Sequence, residues 1–240
     1  MRVAPRPSPP EPPLWPLVRG PALLTLGVTL VRLVGELRGL SPSYFSRLPG
    51  GGLSPVGITW LAPVVGFYLG WRLWRAGVSP PPLRDALRLP VAGLTVAPLL
   101  AWLAGRLFRT SWTANYTLWA VATVAVAAAA YAAWPALGRP LLAYAYAARV
   151  PVVIVMAVAI WRGWETHYDL PPPGFPLLTP LPRWFWIALV PQATIWVAWT
   201  MATGAVLGVL GGHAASRRSR GRPPSGPRAS GGSPAAAILA

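Results

Sequence analysis

Residues 184–210 read WFWIALVPQATIWVAWTMATGAVLGVL, 27 positions without a single charged side chain. A helix rises 1.5 Å per residue, so about 20 mostly apolar residues cross the ~30 Å hydrocarbon core of a bilayer. The stretch is long enough to span. It opens on Trp184 and Trp186, whose amphipathic rings favour the membrane interface. Pro191 marks a kink, because neighbouring helices can satisfy a carbonyl that a proline frees.

Five more windows upstream qualify, at 17–37, 55–74, 89–108, 116–137 and 141–161. The expected fold is an all-α polytopic transmembrane helix bundle of six spans over 17–212. A Pro-rich lead at 1–16 and an Arg/Ser/Gly/Pro-rich tail at 213–240 flank it, and neither has the pattern of a packed unit. The third window is the doubtful one, since Pro90, Pro98 and Arg106 interrupt it. Windows three and four are close enough in sequence to pair as a hairpin.

Composition agrees with a lipid environment. The 240 residues are 54% hydrophobic and 11% charged, with mean hydropathy +0.48. A soluble domain carries about 25% charged residues to wet its surface. All 21 basic residues are arginine, against five acidic ones, for a net charge of +16. Such a balance in a soluble domain would point to nucleic acid. Here the arginines flank apolar segments, so the expected partner is the lipid bilayer rather than nucleic acid. The lysine-free, Ala/Pro/Gly-rich composition fits a GC-rich bacterial genome. With no cysteine, disulfides, thiolate metal sites and cysteine nucleophiles are excluded.

Arginine placement sets the expected orientation. With six spans both termini share one side, which carries Arg2, Arg6, Arg19, Arg72, Arg75, Arg84, Arg88, Arg139, Arg217, Arg218, Arg220, Arg222 and Arg228. The other side has Arg38, Arg47, Arg106, Arg109, Arg162 and Arg183. By the positive-inside rule the termini are cytoplasmic, in a multi-pass inner-membrane protein.

Small residues point to close helix packing. Thr200, Gly204, Gly208 and Gly212 follow at four-residue steps in the last window, and Gly66 and Gly70 form a similar pair in the second. Such stripes let helix backbones approach in lipid. Packing within the bundle is the expected use; a membrane-protein partner is the other.

Chemistry concentrates in residues 161–176, WRGWETHYDLPPPGFP, with two of the five acids and one of the two histidines. Glu165, His167 and Asp169 alternate, and in an extended strand they would share one face. Carboxylate and imidazole donors so spaced suit a divalent metal or a base with its orienting carboxylate. Against that stands a structural reading, with interfacial aromatics at a helix end and the carboxylates paired to Arg162 or Arg183. The spacing is not the H-E-x-x-H of a metal helix. Within the spans, Arg32 and Glu36 lie four apart on one helical face, and Arg149 could reach Glu36 across the bundle. Gln192 could hydrogen-bond a neighbouring helix. Asn115-Tyr-Thr117 is a glycosylation sequon set at a membrane edge.

The segment 164–176, continuing through Trp184, Pro191, Gln192 and Trp196, resembles a group of bacterial polytopic membrane proteins. In that group a T-H-Y-D element followed by prolines precedes a final span with a Pro-Gln pair. The resemblance covers the C-terminal third. It implies that Thr166, His167, Tyr168 and Asp169 are the characteristic element, and it carries no activity. No phosphate-binding loop, dinucleotide fingerprint, G-x-S-x-G or internal repeat appears. The sequence thus reads as a non-enzymatic structural, accessory or permeation component. The alternative is a membrane-embedded enzyme or metal-binding protein with its site on Glu165, His167 and Asp169.

Overall fold

The computed structural model describes residues 12–49, 54–108 and 111–220. Among them every regular element is a helix: α1 (Leu14–Leu37), α2 (Leu61–Arg75), α3 (Leu83–Leu107), α4 (Trp112–Ala133), α5 (Pro135–Arg162), α6 (Pro180–Trp184), α7 (Val190–Ala193) and α8 (Ile195–Arg220). A π-helical turn at Phe185–Leu189 joins α6 to α7, so 180–220 form one interrupted rod. The chain is an all-α membrane-helix bundle. Five helices are long and apolar enough to cross: α1, α3, α4, α5 and the last rod.

The weak span is therefore not the third, which is a 25-residue helix despite Pro90 and Pro98. It is the second. Over the expected 55–74 only α2 is helical, and its 15 residues reach about 22 Å, short of the hydrocarbon thickness. Residues 54–60 ahead of it are turns. Irregular backbone at membrane depth is tolerated where protein buries it or where it lines a cavity. Ser54 and Gly57 are buried, and Ile58 and Thr59 line a cavity described below.

Other boundaries shift for local reasons. α4 and α5 abut at one residue, Trp134, whose extended backbone (φ −153, ψ 87) breaks the helix directly before Pro135. A proline at the first helical position costs no hydrogen bond. α8 continues through 213–220, which the sequence assigns to the tail. The lead 1–11 and the tail 221–240 lie outside the described residues.

Side-chain contacts fix the threading. Leu14 and Leu17 line one small cavity with Leu73, Ala136 and Arg139, while Gly212 lies against Trp134 and Pro80. The start of α1 and the end of α8 thus share one end of the bundle, with the α2–α3 and α4–α5 connections. The loops after α1 and α5 lie at the far end, where Glu36 meets His167.

α2 packs most extensively on α8, and the two run parallel. Gly66 stands opposite Gly204, and Gly70 opposite Gly208, so near that a β-carbon on either α2 glycine would run into the facing backbone. The two glycine stripes of the sequence are halves of one seam. The core around it holds Leu69, Leu73, Leu137, Leu141, Tyr144, Met201 and Val209. Thr200 is buried and bonds its own helix through the Trp196 carbonyl. At the far end, Phe45 covers Gly35 and folds the α1–α2 loop back over α1.

Candidate functional site

A cavity of about 640 Å³ occupies the far half of the bundle. Its wall draws Thr29 and Arg32 from α1, Asn115, Tyr116 and Trp119 from α4, and Arg149, Val152 and Met156 from α5. His167 and Tyr168 come from the loop, and Pro191, Gln192, Ile195 and Trp196 from the last rod. It descends from the level of His167 to that of Arg149. Arg149 is the fifteenth of 28 residues in α5, hence about 20 Å from either helix end and near the membrane midplane.

At the upper wall Arg32, Glu36 and His167 form one cluster. The Arg32 Nε donates to Glu36 Oε1 at 2.8 Å, and its Nη2 donates to the Ser46 carbonyl at 2.9 Å. The His167 amide donates to Glu36 Oε2 at 2.9 Å, and His167 Nδ1 lies 2.5 Å from Glu36 Oε1. Arg47 donates to the Glu36 backbone carbonyl. Glu36 is wholly buried with every neighbour a donor, so it acts as a carboxylate acceptor. That assigns the Nδ1–H tautomer to His167 and leaves Nε2 as the acceptor. Burial pushes the His167 pKa down; the Glu36 carboxylate opposes this, and the Arg32 charge adds to it. The charge of the nearby Asp169 carboxylate opposes the downward shift as well.

The expected Glu165–His167–Asp169 face does not form. Residues 166–169 make a turn, and Glu165 ahead of it sits at φ 54 and is exposed to solvent. Asp169 closes that turn. Its Oδ2 accepts from the Glu165 amide at 3.0 Å, and its Oδ1 accepts from the Thr166 amide at 2.7 Å and hydroxyl at 2.8 Å. Arg183 reaches the Asp169 backbone carbonyl, not its carboxylate. The alternation fails because Asp169 satisfies the turn's backbone donors, a use of aspartate that competes with extended structure. Among the described residues no three His, Asp or Glu side chains stand together as a metal site. Of the three candidates only His167 reaches the cavity wall, and its carboxylate partner comes from α1.

Deeper in, Arg149 does not reach Glu36. It is 5% exposed, and its Nη1 donates to Gln192 Oε1 at 3.4 Å. Its guanidinium lies 5.1 Å from the centre of the Trp196 ring. Nε has no partner, and no carboxylate pairs with Arg149 among the described residues. A guanidinium has five N–H donors, and here a single long hydrogen bond engages one. The Asn115 Oδ1, in the same cavity wall, is also buried without a partner. Asn115, read from the sequence only as part of a sequon, is thus a site residue that sequence reasoning missed. It stands one residue ahead of the 116–137 window, and a polar side chain at the edge of a span was the available signal. Gln192 joins the last rod to α5, through Arg149 and through Met156 Sδ at 3.7 Å.

A scan against protein-family models finds no match, and searches of curated proteins and of solved structures return no similar chain. The reading of this site rests on its own chemistry.

Proposed function

We propose that this chain is a bacterial inner-membrane protein, with cytoplasmic termini, that binds a singly charged anion in its far-end cavity. It acts as a permeation or accessory component handling that ligand. The observation that carries the reading is Arg149, a guanidinium near the midplane with no carboxylate partner among the described residues, in the wall of an open cavity. Ionisable groups inside spans are expensive, and they mark ligand or ion pathways when they face a cavity. The Arg32–Glu36 pair is neutral together and neutral His167 adds nothing, so one positive charge awaits a counter-ion. The arginine-only basic set and the T-H-Y-D element support a bacterial membrane. The arginines gathered at the termini end support its facing the cytoplasm.

The test is native mass spectrometry of protein extracted without added phosphate. The expected result is about one bound anionic molecule per chain in the wild type and none in Arg149→Gln. Equal occupancy of the two, or no bound anion in either, overturns the proposal.

A second reading keeps the same cavity and makes it a membrane-embedded active site with His167 as base. The Glu36–His167 hydrogen bond favours it, since a carboxylate on Nδ1 orients an imidazole and raises the basicity of Nε2. His167→Asn retains a donor toward Glu36 while removing Nε2. Loss of a ligand-converting activity with unchanged anion occupancy would establish that role; unchanged turnover would dismiss it.

A further inference from the structure

An apolar groove of about 210 Å³ runs between α3, α4 and α8. It shares Ala101, Trp119 and Ile195 with the wall of the basic cavity, so the two spaces adjoin. Small side chains make it. Along α3 it follows Gly93, Ala97 and Ala101, and across from them stand Ala122 and Ala198. From Gly93 to Ala101 is eight residues, about 12 Å of helix. At its rim Leu118 is 37% and Trp199 39% exposed, which opens the groove sideways to lipid. Its lining carries no charged side chain, and Thr123 spends its hydroxyl on the Trp119 and Ala120 carbonyls.

We infer that the cavity and the groove form one site for an anionic amphiphile. The oxyanion head lies on Arg149, and a single alkyl chain runs down the α3/α4/α8 groove. This deepens the anion-binding proposal and rests on it. Charge complementarity commits the cavity to the head: Arg149 supplies fork-shaped donors suited to an oxyanion. The unpartnered Asn115 Oδ1 in the same cavity wall suits a head that also carries a hydroxyl, such as a singly ionised phosphate ester. Continuity commits the groove to a chain. A water-soluble anion would leave the adjoining apolar surface unused, whereas an amphiphile entering from the bilayer fills both without moving its chain through water. An uncharged lipid would fill the groove alone and leave Arg149 without a counter-ion.

The experiment is calorimetric titration of the full chain in amphipol with methyl phosphate and with octyl phosphate, whose chain matches the groove length. In the wild type octyl phosphate is expected to bind at least ~100-fold more tightly, well below full burial of seven methylenes. Ala97→Trp and Ala122→Trp, which fill the groove from opposite helices, each remove most of that advantage and leave methyl phosphate binding unchanged. Arg149→Gln weakens both esters. If the two esters bind the wild type equally, or the advantage survives both groove substitutions, the chain site is refuted while the anion site stands. If neither ester depends on Arg149, both proposals fall.

Discussion

Arg149→Met provides the sharpest test of the ligand reading, because its effects on stability and on binding have opposite signs. A lone arginine at the centre of a span costs about 2.5–3.5 kcal/mol on insertion scales. Against this cost stand two compensations inside the protein. The contact with Trp196, 5.1 Å from ring centre to guanidinium carbon, contributes about 1 kcal/mol. The hydrogen bond to Gln192, long at 3.4 Å, contributes about 1 kcal/mol at most. Methionine keeps an unbranched apolar stem, shorter than arginine's, and removes the charge beside Trp196. Ligand-free protein should therefore gain about 1 kcal/mol, in line with the replacement of other buried charges by apolar groups. The assay is reversible unfolding in mixed micelles after exhaustive delipidation, alongside octyl phosphate binding, which should vanish. A loss of about 2 kcal/mol or more in the ligand-free state would refute the reasoning. It would mean that Arg149 is held by protein contacts and needs no ligand.

Four further outcomes follow from the same geometry. Gly66→Ala and Gly70→Ala should each cost about 1–3 kcal/mol in unfolding assays, because the new methyl meets the backbone of Gly204 or Gly208. Gly105→Ala, with open space around it, should instead stabilise α3 by about 0.5–1 kcal/mol. Asp169→Ala should destabilise by about 2–3 kcal/mol through three lost hydrogen bonds, with no change in metal content by mass spectrometry, while Glu165→Ala stays within about 0.5 kcal/mol. For pH, burial depresses the folded His167 pKa below its ordinary 6.5, so the unfolded chain takes up the proton first. The His167 contribution is flat above about 6.5 and falls as pH drops from there toward the folded value; unfolding midpoints of His167→Asn should lack that step. Since the chain has no cysteine, single cysteines at Val78 and Arg217 should label only from the cytoplasmic side and one at Gly174 only from the other.

The sequence alone determined that this chain lives in a bilayer as helices. Backbone groups in hydrocarbon must be satisfied within the segment, so stretches such as 184–210 have no other spanning form open to them. It also carried the small residues of the α2–α8 seam, because close approach demands residues without side chains wherever the partner lies. Arg32 and Glu36 were legible as a pair, since helical spacing is local.

What the tertiary structure decided was which separate segments meet. The Gly66 and Gly204 stripes became one seam only when α2 and α8 lay parallel. The shortness of α2 goes with the bends and turns of 54–60, where Arg32 lies beside Gly57 and Ile58 and Thr59 join the cavity wall, which no hydropathy window reports. Glu36 found His167 131 positions away rather than Arg149, and Asp169 was claimed by its own turn rather than by His167. Side-chain partnership in a bundle is set by depth and rotation of whole helices. Those arise from the sum of many packing contacts, so the site formed by Arg149, Asn115, His167 and Gln192 exists only in the folded chain.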